Sequence, residues 1–91
     1  MSIDWLYQLI LDRQANPSPE SYTARLFGSG LGRIAKKVGE EAAETMVAAL
    51  AEDDARLVSE IADLAYHVLV LMAARGIPLQ AVQAELERRH R

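Results

Sequence analysis

Between Ala55 and Arg75 the sequence sets apolar residues on almost every side of a helix. Leu57, Ile61, Leu64, Val68 and Leu71 follow one path along it, and Val58, Ala62, Ala65, Leu69 and Met72 the next. A helix apolar nearly all round must be covered on more than one side. Only 91 residues are available for this, and so short a chain buries a smaller fraction of its surface than a larger domain does. Cysteine is absent, which excludes disulfide staples, thiolate zinc sites and a cysteine nucleophile. Stability must come from a well-patterned core, from a second chain or from a bound ion.

The remaining segments also read as helices. Ile3, Leu6, Leu9 and Ile10 recur at helical spacing behind Ser2, a good N-cap, up to about Ala15. Asn16-Pro17-Ser18-Pro19 breaks that helix, because each proline pushes the residue before it out of the helical region. Ser21 to Phe27 predicts a short helix, and Gly28, Gly30 and Gly32 loosen the chain after it. A long helix is expected from about Leu31 to Ala51, with Ile34, Val38, Ala42 and Ala49 on one stripe. Asp53 or Asp54 caps the apolar helix that follows. Gly76 suits the position just past its end, and Pro78 the first turn of a last helix reaching about Arg89. Val/Ile/Thr alternation is nearly absent, and Ala, Leu, Glu and Arg dominate, a composition that favours helix over strand. The expected fold is all-α. It is one domain over residues 1–91, a helical bundle built on a central antiparallel helix hairpin and completed by dimerisation.

Charge and hydropathy narrow the partners. A net charge of −3 suits a protein that binds duplex phosphate poorly, so no nucleic-acid partner is expected. The longest wholly apolar run, Val68–Ala74, is far below the ~18 residues of a membrane span. Met1–Ile10 lacks the basic-then-apolar order of a leader. A cytoplasmic location without a membrane partner is expected.

The informative residues are acids on the two long helices: Glu40-Glu41-Ala42-Ala43-Glu44 on the first and Glu60-Ile61-Ala62-Asp63 on the second. Residues three apart lie on one helix face, so Glu41/Glu44 and Glu60/Asp63 form two pairs that an antiparallel hairpin can bring together. Four converging carboxylates repel unless a cation neutralises them. Oxygen ligands without a His or Cys cluster point to Mg²⁺, with Mn²⁺ as a substitute. Glu-x-x-Glu alone is also the pattern of a solvated, salt-bridged face. Glu60 and Asp63 favour the metal, because they interrupt an apolar helix and buried acids need a partner. Arg33 lies two turns and Lys37 one turn before Glu41, and His67 lies one turn beyond Asp63. Positive charge beside a carboxylate–metal cluster is what a polyphosphate requires; the plainer alternative is ordinary surface ion pairing. Trp5 and Tyr66 read as core or interface packing.

Three segments carry a resemblance: Ser21-Tyr22-Thr23-Ala24-Arg25-Leu26-Phe27, Arg33-Ile34-Ala35-Lys36-Lys37-Val38-Gly39-Glu40-Glu41-Ala42-Ala43-Glu44, and Glu60-Ile61-Ala62-Asp63-Leu64-Ala65-Tyr66-His67. Together they closely resemble the phosphoribosyl-ATP pyrophosphohydrolases, within the wider all-α, MazG-like nucleotide pyrophosphohydrolases. The resemblance implies Mg²⁺-dependent hydrolysis of phosphoribosyl-ATP to phosphoribosyl-AMP and pyrophosphate, an early step of histidine biosynthesis. It further implies that Glu41, Glu44, Glu60 and Asp63 are metal ligands and that Glu40 is a further ligand or base. Arg25, Arg33, Lys36 and Lys37, with His67, would hold the phosphates or the phosphoribosyl group. The glycine-rich stretch Gly28–Gly32 departs from the family pattern. Two rival expectations remain: a house-cleaning enzyme for non-canonical dNTPs, and a non-catalytic helical dimerisation module whose acidic face confers solubility. The enzyme readings imply a small nucleotide as partner, and all imply a homodimer or higher homo-oligomer.

Overall fold

A computed structural model describes residues 3–91 and consists of five helices: α1 (Asp4–Ala15), α2 (Tyr22–Gly28), α3 (Leu31–Ala51), α4 (Asp54–Ala74) and α5 (Leu79–Arg89). No strand occurs among the described residues. The expected Ser2 cap of α1 lies outside them. Each boundary has a local cause. Pro17 and Pro19 separate α1 from α2, and the Ser21 hydroxyl caps α2 by accepting from the Ala24 N–H at 3.1 Å. Gly30 turns the chain into α3 with φ +93°, a conformation that strains any residue carrying a Cβ. Of the two candidate aspartates Asp53 is the cap of α4, accepting from the Arg56 N–H at 2.9 Å.

The far end of α4 closes in a Schellman motif. Gly76, at φ +69°, donates to the Ala73 carbonyl at 3.1 Å, and Ile77 donates to Met72 at 2.9 Å, so the carbonyls that a helix end leaves unpaired are satisfied. Pro78 stands just outside α5 as its N-cap instead of within its first turn.

Helices α3 and α4, each 21 residues long and joined by two residues, form the central hairpin. Helices α1 and α2 pack on one end of it. The core is concentrated there: Tyr7 and Ile10 of α1, Leu26 of α2, Ile34 of α3, and Leu69, Val70, Met72 and Ala73 of α4, with Leu79 of α5. At the other end the hairpin is bare. Met46, Val47 and Leu50 on α3 and Val58 and Ile61 on α4 are exposed, Leu50 to 83%. The all-round coverage that α4 demands is therefore met within one chain only over its C-terminal half. By length and mean hydropathy (1.6) α4 could cross a membrane, but Glu60, Asp63 and His67 lie along it and α1, α2 and α3 pack against it. Trp5 is 58% exposed and takes no part in the core of a single chain.

Candidate active site

The acids converge where α3 and α4 leave the core. Antiparallel packing sets Glu41 opposite Glu60 and Asp63, and one carboxylate oxygen from each lies within 4.8 Å of the others. Glu41 and Glu60 are buried and Asp63 is exposed. The Thr45 hydroxyl marks the same level of the hairpin, donating to the Glu41 carbonyl at 2.8 Å and lying 3.3 Å from the Glu60 carbonyl.

Each buried acid uses one oxygen and leaves the other free. Glu41 Oε1 is 3.4 Å from Lys37 Nζ, and Glu60 Oε1 accepts from Arg56 Nη2 at 2.8 Å. Glu41 Oε2 and Glu60 Oε2 are buried without a hydrogen-bond partner. An unpartnered buried carboxylate oxygen is costly, and a hard divalent cation is the partner that several converging carboxylates fit. Glu44, exposed on α3, completes the acidic face. Its carboxyl is pushed above the ordinary range by hydrogen bonding to Glu41 and by the Glu41 charge. Burial alone would raise Glu41, but hydrogen bonds to Glu44 and Lys37 outweigh it and hold that carboxyl below the usual range.

Cations flank the cluster. Lys37 lies 3.6 Å from Glu40 as well as beside Glu41; burial would lower its ammonium pKa, and these carboxylates raise it beyond the usual lysine value. Lys37 also lines a cavity of about 300 Å³ together with Tyr22, Arg25, Leu26, Ser29 and Arg33. Arg25 donates to the Pro19 carbonyl at 2.7 Å from the rim of this cavity. Lys36, exposed, is not among the residues lining it.

The expected site residues thus fall into five placements. Glu41, Glu60 and Asp63 come together with Glu44 beside them, and Arg25, Arg33 and Lys37 share a cavity next to them. Glu40 stands at the rim and Lys36 apart. His67 is buried, 5% exposed, with both ring nitrogens engaged inside the chain. Two participants were not singled out from the sequence. Arg56 bridges Glu52 and Glu60, a role that its i,i+4 spacing to each could have signalled. Tyr22 lines the cavity from α2, and only folding places it opposite His67.

The family model described as phosphoribosyl-ATP pyrophosphohydrolase matches residues 3–90. A protein of Pyrobaculum calidifontis named phosphoribosyl-ATP pyrophosphatase is 56% identical over 87 residues, covering 96% of this chain and 93% of its own. One of the same name from Saccharolobus solfataricus is 49% identical over 89 residues, covering 98% and 95%. Another, from Lacticaseibacillus casei, is 53% identical over 88 residues, covering 97% of this chain and 80% of its own.

Proposed function

Since the chain belongs to the phosphoribosyl-ATP pyrophosphohydrolase family, we propose that it hydrolyses phosphoribosyl-ATP to phosphoribosyl-AMP and pyrophosphate in histidine biosynthesis, working with Mg²⁺ in the cytoplasm. The observation that carries the metal reading is the pair of unpartnered buried oxygens, Glu41 Oε2 and Glu60 Oε2, on carboxylates that converge with Asp63. Glu41, Glu60 and Asp63, with Glu44 beside them, would hold the ion, and Mn²⁺ can replace it. What a bound divalent ion supplies there is polarisation of phosphate oxygens and a more acidic water.

The chain's own residues do the rest. Lys37, tethered between Glu41 and the cavity, brings a fixed positive charge to phosphate oxygens beside the acids. Arg25 and Arg33 extend that charge along the cavity, and Arg guanidinium groups suit phosphate through paired N–H donors. Hydrogen bonding to Glu41 and the Glu41 charge raise the Glu44 carboxyl above its ordinary range, and a carboxyl must be deprotonated to serve as an anionic ligand. Glu40 sits at the rim with its carboxylate exposed, open to a water at the edge of the site.

We further propose that the working form is a homodimer. Met46, Val47, Leu50, Val58 and Ile61 form the bare end of the hairpin, and a second copy would cover there what this chain leaves open.

The decisive experiment measures pyrophosphate release from phosphoribosyl-ATP and from a panel of non-canonical dNTPs, with and without Mg²⁺. Mg²⁺-dependent release from phosphoribosyl-ATP is expected. Preference for a dNTP would make this a house-cleaning enzyme, and absence of release from every substrate would leave only a dimerisation module.

A further inference from the structure

The cavity beside the acids has a chemistry of its own. Three of its lining residues, Arg25, Arg33 and Lys37, are cationic and none is acidic, so a phosphate can be held there by side chains alone. At about 300 Å³ it lies at the small end of ligand sites, which run to roughly 300–1,000 Å³. That is room for a fragment of a nucleotide rather than a whole one.

Two hydroxyls complete its wall: Ser29 donates its proton to the Leu26 carbonyl at 2.6 Å, and buried His67 decides what the Tyr22 hydroxyl can do. His67 Nδ1 lies 2.7 Å from the Asp63 main-chain oxygen. A carbonyl only accepts, so Nδ1 carries the hydrogen, and in the neutral imidazole Nε2 is then an acceptor. The Tyr22 hydroxyl, 3.1 Å from Nε2, donates its one proton there. The ring is braced from behind: Tyr66 packs edge-on at 5.0 Å between centroids, and its own hydroxyl is hydrogen-bonded to Thr23. With its proton committed, the Tyr22 oxygen faces ligands only as an acceptor. Phosphate oxygens are acceptors too, so Tyr22 selects a donor such as a sugar hydroxyl.

We propose that this cavity is a sugar-phosphate subsite: Arg25, Arg33 and Lys37 hold a phosphate monoester, Tyr22 accepts a hydrogen bond from a hydroxyl of the attached pentose, and His67 is the positioning residue that commits Tyr22 to that role. The proposal rests on the reading of the acids as the triphosphate site, and it assigns the phosphoribosyl end of the substrate to the cavity.

The test compares binding of phosphoribosyl-AMP and AMP by calorimetry, alongside steady-state kinetics on phosphoribosyl-ATP. Wild-type protein is expected to prefer phosphoribosyl-AMP. Tyr22→Phe, which keeps the ring, should narrow that preference by roughly two- to tenfold, the range for one hydrogen bond, and raise KM by more than it lowers kcat. His67→Phe should do the same, and the double variant should lose nothing further, since coupled residues are non-additive. If His67→Phe does not fold, His67→Gln replaces it; the Gln amide oxygen supplies an acceptor, so the wild-type preference should survive. An unchanged preference in Tyr22→Phe overturns the subsite, and additive losses, or loss of the preference in His67→Gln, overturn the positioning role. Absence of turnover by the wild type overturns the reading of the acids as well, whereas normal turnover with an indifferent Tyr22→Phe overturns the subsite alone.

Discussion

Neutralising Glu41 separates a metal site from a solvated acidic face. Its carboxylate has an oxygen within 4.8 Å of one on Glu60 and one on Asp63, and lies 3.4 Å from the Lys37 ammonium. Each like-charge pair at that separation repels by roughly 3.5 kcal/mol at an effective dielectric near 20, and by about 0.9 kcal/mol in bulk water. The attraction to Lys37 is about 5 kcal/mol and about 1.2 kcal/mol at the same two limits. Against burial, the hydrogen bonds to Glu44 and Lys37 tip that balance, since they hold the Glu41 carboxyl below its ordinary range. A carboxyl whose pKa is lowered by the fold stabilises it in the ionised form, so Glu41→Gln should not raise the Tm of the metal-free protein at neutral pH, where ~1 kcal/mol moves a domain of this size by roughly 4–8 °C. In the wild type an ion at about ten times its Kd adds ~1.4 kcal/mol, or roughly 6–11 °C, and in Glu41→Gln that gain should shrink sharply. The assay is a circular-dichroism melt with Mg²⁺ and Mn²⁺, with and without a non-hydrolysable nucleotide, against sodium chloride at matched ionic strength. If every divalent condition gives only the shift of the salt control, or if Glu41→Gln responds as the wild type does, the carboxylates do not hold a metal.

Asp63→Asn should keep the fold, since Asp63 is exposed, yet lower pyrophosphate release by more than about a hundredfold, the scale of losing several kcal/mol of charge stabilisation; near-normal turnover would remove it from the site. Leu50→Lys combined with Val58→Lys should shift sedimentation equilibrium toward monomer without lowering helicity, and a wild type that is itself a stable monomer would refute the dimer. Gly30→Ala should lower Tm, because φ +93° strains any residue with a Cβ, by about 1–3 kcal/mol. The carboxyl of Glu85 is held below its ordinary range by hydrogen bonds from Arg88 and then Arg89; its contribution is present above the ordinary carboxylate pKa and lost as pH falls through the lowered value. Melts across acidic pH should show wild type above Glu85→Gln near neutrality, with the gap closing as the solution is acidified below the ordinary Glu range.

The helices were legible because their boundaries are local. Prolines at 17 and 19, a serine at 21, an aspartate at 53 and a glycine at 76 act through their own backbone and near neighbours, and each does in the structure what its residue type dictates. Pairing of Glu41 with Glu60 and Asp63 was legible too, since a two-residue connection between equal helices leaves little freedom in register. Two features were not. The all-round apolarity of α4 showed that coverage was needed, but not that the shortfall lies in its N-terminal half, at Val58 and Ile61. His67 sits one turn beyond Asp63 at a spacing that suits a ligand-facing side chain. Its burial follows from α2, whose Tyr22 and the neighbouring Tyr66 ring enclose it, and helical periodicity carries no information about a helix that packs across from 45 residues away.

The two buried glutamates show how one rule of helix spacing prepares a site that spans two helices. Each has a cation four residues before it on its own helix, Lys37 before Glu41 and Arg56 before Glu60. Side chains at i and i+4 are neighbours on the helix surface, so each acid is partnered without help from the opposite helix. A cation so placed engages one carboxylate oxygen, and both glutamates leave their second oxygen unpartnered. Partial neutralisation lowers the cost of burying two like charges near each other, while incomplete pairing preserves their capacity to accept an ion. Had both oxygens been bound by Arg in a bidentate fork, as Arg88 binds Glu85 at the surface, the acids would be equally anionic but closed to a metal. The difference lies in geometry rather than charge: Lys37 offers a point charge, and Arg56 divides its guanidinium between Glu52 and Glu60. An ion between α3 and α4 would then complete the coordination of both helices at once, tying the binding of metal to the closure of the hairpin at the level where the core ends.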